Sequence, residues 1–153
     1  ASTLMTNMTM KLHGAGEPAA RALMSDFWAG STPAALAGFN QRVFVPVAVA
    51  PKSMRYELDS PAPLVMVSAD TMGVKIDKHS KGERGMGPTD FGRLQRILDD
   101  GELVERKNHT AVYVFEDEDG PWMAAVKATS ANELILSSLY PIGARKLRRL
   151  RGK

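Results

Sequence analysis

The sequence predicts an α+β fold in which N-terminal helices precede a four-stranded antiparallel β-meander, and two observations carry that expectation. Before Gly101 the dominant spacing of apolar residues is three-and-four, the period of one helix face. After it they fall into short strand-like runs separated by turn residues. The connections between those later runs are short, so neighbouring strands pair antiparallel. At 153 residues and 44% hydrophobic, the chain is long enough to bury one core and to carry a smaller appendage.

Taken in order, Ala20, Leu23, Met24, Phe27 and Trp28 mark one face of an amphipathic helix starting near Glu17, with Pro18 acceptable in its first turn and Gly30 as its stop. Thr32-Pro33 reads as an N-cap and first-turn proline opening a second helical segment through Leu36 and Phe39. Val43 to Val49 reads as a strand that Pro46 interrupts, either confining it to an edge or making it an extended arm. Pro51, Pro61 and Pro63 bracket a linker-like stretch. Residues 1–60 are therefore expected as a helical extension and linker, and residues 61–153 as the main domain.

In that domain Leu64-Val65-Met66-Val67 is a buried-strand run, and Ser68 to Thr71 can cap a helix reaching about His79. Gly82, Gly85 and Gly87 make a basic loop around Lys81 and Arg84. Thr89 can cap a third helix whose Phe91, Leu94, Ile97 and Leu98 share a face and which stops at Gly101. Four strand runs follow: Leu103-Val104, Ala111 to Phe115, Trp122 to Thr129 and Glu133 to Tyr140. Glu116 to Gly120 makes one acidic turn, and Gly143 to Arg151 closes as a basic helix or tail. Trp122, Val126, Ile97 and Leu94 are the expected core.

Several function classes are excluded or unsupported. Without cysteine there is no disulfide framework, thiolate metal site or cysteine nucleophile. No clustered acids or paired histidines stand at metal-ligand spacing, and no G-x-x-x-x-G-K-[ST] phosphate loop is present, so neither metal nor cofactor is expected. No apolar run approaches bilayer length, and Ala1 to Met10 lack the pattern of a signal peptide, so no membrane partner is expected and the start reads as a cut inside a longer protein.

Charge is distributed unevenly. The net charge is +3, yet the last nine residues hold Arg145, Lys146, Arg148, Arg149, Arg151 and Lys153 with no acid, so +3 less +6 leaves −3 for the remainder. Such an end suits a polyanion, because Lys and Arg bind phosphates by releasing condensed counterions. A solubilising tail is the alternative.

The run Val65-Met66-Val67-Ser68-Ala69-Asp70-Thr71, the Lys78-His79 pair, the helix Phe91 to Leu98, Ala125-Val126-Lys127-Ala128-Thr129 and Glu133 to Tyr140 stand in a definite order. In that order they resemble the phage-type barnase/EndoU/colicin/RelE-like nuclease family found at the C-terminus of Mu F-like head-morphogenesis proteins. The resemblance covers Pro61 to about Arg149. It implies that fold, RNA as partner, and a metal-independent ribonuclease, such as a tRNA-cleaving toxin domain carried by a phage virion or delivered to the bacterial cytoplasm, with an immunity or antitoxin protein as a further partner.

The candidate catalytic residues are His79, Lys127, Thr129, Ser138 and Tyr140. Imidazole titrates near neutrality and can exchange protons with a ribose hydroxyl, and the family carries a histidine where this chain has His79; the alternative is a surface histidine at a helix end. Lys127 interrupts an apolar strand on the face of Ala125 and Thr129, and the family carries a lysine there. A cation so placed can stabilise a phosphorane-like transition state, or can simply line a solvated face. Ser138 and Tyr140 share a face that an even hairpin offset brings beside Lys127, where hydroxyls can hold phosphate oxygens. Where the family pattern often continues with a basic residue this chain has Pro141, and Arg145 can reach the site from beyond the turn. Lys78, Lys81, Arg84, Arg145, Lys146, Arg148 and Arg149 are the candidate nucleic-acid-binding residues. His109 is a weaker candidate in a turn, and His13 has no expected catalytic role. A binding module without catalysis, contacting nucleic acid or protein in a virion, is the competing reading.

Overall fold

The computed structural model describes residues 17–29, 44–68 and 88–152. The amphipathic run at the start forms helix α1 (Glu17–Ala29), which buries Ala20, Met24 and Trp28 and leaves Leu23 outward. Strand β1 (Phe44–Val49) follows, then helix α2 (Lys52–Leu58) and strand β2 (Leu64–Ser68). A 3-10 helix (Pro88–Arg93) leads into α3 (Leu94–Asp100), and strands β3 (Glu102–Lys107), β4 (Thr110–Asp117), β5 (Gly120–Ala128) and β6 (Leu134–Pro141) precede the final helix α4 (Ala144–Leu150). The second predicted helical segment, Thr32 to Phe39, and the predicted helix from Ser68 to His79 lie outside the described residues beyond Ser68 itself, which ends β2.

The fold is α+β with one mixed six-stranded sheet, not the four strands expected, in the order β1-β2-β6-β5-β4-β3. Strands β3 to β6 pair antiparallel in sequence order. The additional strands come from before Ser68: β1 pairs antiparallel with β2, and β2 joins β6 in parallel through Val65–Leu134 and Met66–Ile135. A parallel junction between distant segments leaves no local sequence mark, because its register is set by burial of both faces and not by a turn. Pro46 sits on an edge strand, where its missing N–H removes no ladder bond.

One cluster of buried side chains fills the inner face, drawing Met24 and Trp28 from α1, Val45 and Val47 from β1, Met54 and Leu58 from α2, and Leu94, Ile97, Trp122 and Val126 from beyond. The predicted core residues Leu94, Ile97, Trp122 and Val126 are all buried. The core is thus built from both sides of Ser60. Ser60 itself is buried and donates its hydroxyl proton to the Asn132 carbonyl at 2.8 Å, fastening the end of α2 to the β5–β6 turn. The stretch between Pro51 and Pro61 that reads as linker is largely helix, because Met54 and Leu58 are one turn apart and both reach the core.

Side chains also close the free edge of β1. The Val49 N–H donates to Gln95 Oε1 at 2.7 Å, Gln95 Nε2 donates back to the Val49 carbonyl at 3.0 Å, and the Trp28 indole N–H donates to the Pro46 carbonyl at 3.3 Å. These bonds occupy groups that an edge would otherwise offer to another chain. The other edge, β3, carries a register irregularity between Leu103 and Glu105 and mostly exposed charged residues, which oppose pairing in a different way. Gly101 stops α3 as predicted, though with extended backbone. A β-carbon there would collide with the Ile97 carbonyl oxygen, so close backbone approach is what demands glycine.

Candidate functional site

Alternation along β5 sends Trp122, Ala124, Val126 and Ala128 into the inner core and Met123, Ala125 and Lys127 to the outer face. A second, smaller cluster on that face joins Met123 and Ala125 to Val112, Val114, Ile142 and Leu147, with Leu150 of α4 packed against it. Lys127 is the first outer position of β5 beyond this cluster, and it is exposed. Its cross-strand neighbours are Thr110 on β4 and Ile135 on β6.

The β5–β6 register slips between Ala125 and Val126, leaving Ser137 as the extra residue, and its hydroxyl donates to the Ala125 carbonyl at 3.1 Å. The bulge puts Ser138 opposite Ala125 and Tyr140 opposite Met123. Lys127, Ser138 and Tyr140 therefore share the outer face. Ser138 is a diagonal neighbour of Lys127, and Tyr140 lies a further same-face step along, about 7 Å on.

The hydroxyls on this surface differ in their engagement. Thr129 is a turn residue: its Oγ1 accepts the Glu133 N–H at 3.1 Å, its N–H donates to the Glu133 carbonyl at 2.8 Å, and its carbonyl accepts from Asn132. Asn132 takes the left-handed conformation that such a turn needs, at φ 63°. Tyr140 is half-buried against the smaller cluster, and Lys146 reaches across its ring, with Nζ 4.6 Å from the ring centre and donating to the phenol oxygen at 2.5 Å. No hydrogen bond engages the Ser138 hydroxyl among the described residues.

Helix α4 docks through Leu147, with Leu150 beside it, and leaves Arg145, Arg148 and Arg149 exposed. None of the three has an ion-pair partner among the described residues. Arg151, at the end of the helix, reaches Glu102 at 3.4 Å.

Sequence reading missed a second arginine cluster. The acidic β4–β5 turn reads as a solvated loop, yet Arg93 reaches Asp90 at 2.7 Å, Asp117 at 2.5 Å and Asp119 at 2.7 Å while stacking 4.7 Å above the Trp122 ring centre. Burial acts to lower the guanidinium pKa, but hydrogen bonds to Asp90 and Asp119 and the charges of Asp90 and Asp117 more than offset it, so the net shift is upward. Arg96 lies over the Phe115 ring at 5.0 Å and 3.5 Å from Glu118. The signal available was Asp90-x-x-Arg93, an i,i+3 pair ahead of a helix, but its partners lie 24 and 26 residues on. Clefts of about 370 and 330 Å³ flank Gly92, and none of the candidate site residues among the described residues lines either.

His79, Lys78, Lys81 and Arg84 lie outside the described residues, as does His13. His109 is exposed in the β3–β4 turn, where its carbonyl accepts the Ala128 N–H at 2.8 Å. Among the described residues no three acids or histidines are grouped to hold a metal, and no helix is long and apolar enough to cross a membrane. Compared with known proteins, the chain matches no family model, no curated protein and no solved structure.

Proposed function

We propose that the chain binds RNA along the outer sheet face and the exposed side of α4, and cuts it without a metal. The observation that carries the binding half is the exposure of Arg145, Arg148 and Arg149 on one short helix with no anionic partner among the described residues. Unpaired guanidiniums release counterions on meeting phosphates, whereas paired ones must first break an existing contact.

The cleavage half rests on Lys127, on the family resemblance and on the chemistry of His79. In this reading the ribose 2′-oxygen attacks the adjacent phosphorus, the bond from phosphorus to the 5′-oxygen breaks, and a 2′,3′-cyclic phosphate is left. His79 exchanges the proton, Lys127 meets charge developing on the phosphoryl oxygens, and Ser138 supplies a hydroxyl on the same face.

Binding without cleavage is the second reading. It is favoured by the engagement of Thr129 in its turn and of Tyr140 with Lys146, which leaves Lys127 and Ser138 as the open pair.

The test is incubation of total RNA in EDTA with folded wild type, His79→Ala and Lys127→Ala proteins, followed by detection of cyclic-phosphate ends. Wild type is expected to cut RNA and leave DNA intact, with His79→Ala slower by roughly a hundredfold to ten-thousandfold. Equal cleavage by all three proteins rejects the residue assignment. Retained binding with no cleavage by wild type selects the second reading.

A further inference from the structure

We infer that the RNA taken by this surface is base-paired, held by its phosphates and not by stacked bases; the inference rests on the RNA-binding reading above. Proteins that hold single strands do so with aromatic platforms, each stacked base contributing about 1–3 kcal/mol. Among the described residues, the aromatic side chains near α4 are not available for that. Trp122 and Tyr113 are buried in the inner core, together with Trp28 and Phe91. Phe115 lies under Arg96, and the Tyr140 ring is half-buried and crossed by Lys146. Among the described residues the exposed aromatics are Tyr56, on α2, and Phe44, on edge strand β1, which is three strands from β5 and so about 14 Å away.

What α4 does present is a fixed row of cations. At about 100° per residue, Arg145, Arg148 and Arg149 fall within an arc of about 100° opposite Leu147 and Leu150, over an axial span of about 6 Å. The flanks are fastened, Lys146 to Tyr140 and Arg151 to Glu102. Three cations spaced by one docked helix suit a rigid array of phosphates.

Charge density points the same way. A duplex carries one charge per about 1.7 Å of axis, against about 3.4 Å for each strand, and the salt exponent per neutralised phosphate is about 0.9 for a duplex and about 0.7 for a single strand. For three contacts the difference amounts to about fourfold in affinity at about 0.1 M salt relative to 1 M.

The experiment compares the full chain binding to an RNA strand of unstructured sequence and to the blunt duplex of that strand with its complement. Both are 2′-fluoro-substituted, so the attacking hydroxyl is absent and cleavage does not intervene. Fluorescence anisotropy across a salt series is expected to give tighter duplex than single-strand binding at about 0.1 M salt, with their ratio growing about fourfold from about 1 M to about 0.1 M, and the Arg145→Gln/Arg148→Gln/Arg149→Gln protein should lose that preference. Single-strand affinity equal to or above that of the duplex overturns the inference while leaving the RNA-binding reading standing. Binding to neither probe overturns both.

Discussion

The two faces of the sheet use arginine in opposite ways. On the inner side α1, α2 and α3 cover one continuous core, and at its rim Arg93 is held by three carboxylates and the Trp122 ring. On the outer side the one helix among the described residues, seven residues long, covers a smaller cluster, and Arg145, Arg148 and Arg149 have no carboxylate partner among those residues. Guanidinium chemistry is the same in both places; what differs is whether the fold brings acids to it. An arginine clamped by acids holds elements together and has little left for a ligand. An arginine on a docked helix without acids contributes little to stability and is available to an anion. Clusters of charge therefore divide into fastening and binding groups by their partners, not by their density in sequence.

The sharpest way to break this contrast is to strip the inner face. A chain beginning at Pro61 lacks α1, β1 and α2, and with them the buried Met24, Trp28, Val45, Val47, Met54 and Leu58. Each such side chain contributes roughly 1.5–3 kcal/mol when buried, and a domain of this size has only about 5–15 kcal/mol in total. The truncated chain is expected to show no cooperative thermal transition by circular dichroism. A native-like melt would mean that the outer face and the strands after Pro61 fold without the inner layer.

A smaller effect is expected at the rim. Arg93→Met keeps much of the side-chain volume but leaves Asp117, whose side chain is only 7% exposed, without its guanidinium. The expected loss is about 2 kcal/mol, below the cost of breaking a fully buried pair because Arg93 is 29% exposed and Asp119 59%. In calorimetry this corresponds to a fall in melting temperature of about 4–8 °C. An unchanged melting temperature would place Arg93 with the surface arginines.

Alkali should find the inner face through Tyr113. Burial, reinforced by the Glu57 carboxylate and opposed by the Arg106 guanidinium, pushes this phenol up to about 12 from an ordinary 10.0. The unfolded chain releases the proton near pH 10 while the folded chain keeps it, so stability falls as pH rises from 10 to about 12. The loss is on the order of 2 kcal/mol by denaturant titration, and Tyr113→Phe should lessen that pH dependence.

The smallest stability effect is expected on the outer face. Replacing Arg145, Arg148 and Arg149 with Gln should change stability by less than about 0.5 kcal/mol per site. The same protein should lower the salt exponent of duplex RNA binding by about 2.7, against about 2.1 for a single strand. A large stability loss, or an unchanged exponent, would erase the distinction between fastening and binding arginines.

The elements that local periodicity marks were legible. Helix α1, strands β3 to β6 and the glycine stop at Gly101 follow from spacing and turn residues within a few residues of chain, while the missing donor of Pro46 narrowed its segment to an edge strand or an extended arm. Helix α2 was not, because seven residues between prolines give too few turns for a periodic signal. At the candidate site, alternation was enough to set Lys127 on the face opposite Val126. Whether Ser138 and Tyr140 joined that face depended on the hairpin offset, and the bulge at Ser137 decided it.

By itself the sequence determined which segments are strand after Gly101, which residues of the later strands seek the core, and that the positive charge collects at the end. Tertiary structure alone decided that β2 joins β6 in parallel, that the core draws on residues before Ser60, and that Arg93 finds its acids on a turn 24 residues away while Arg145, Arg148 and Arg149 find none among the described residues. The physical reason is range. Helix period, strand alternation and turn chemistry act over a few residues and leave a pattern in the chain. Packing of distant segments and pairing of charges depend on which surfaces meet once the chain has folded, and no local spacing encodes that.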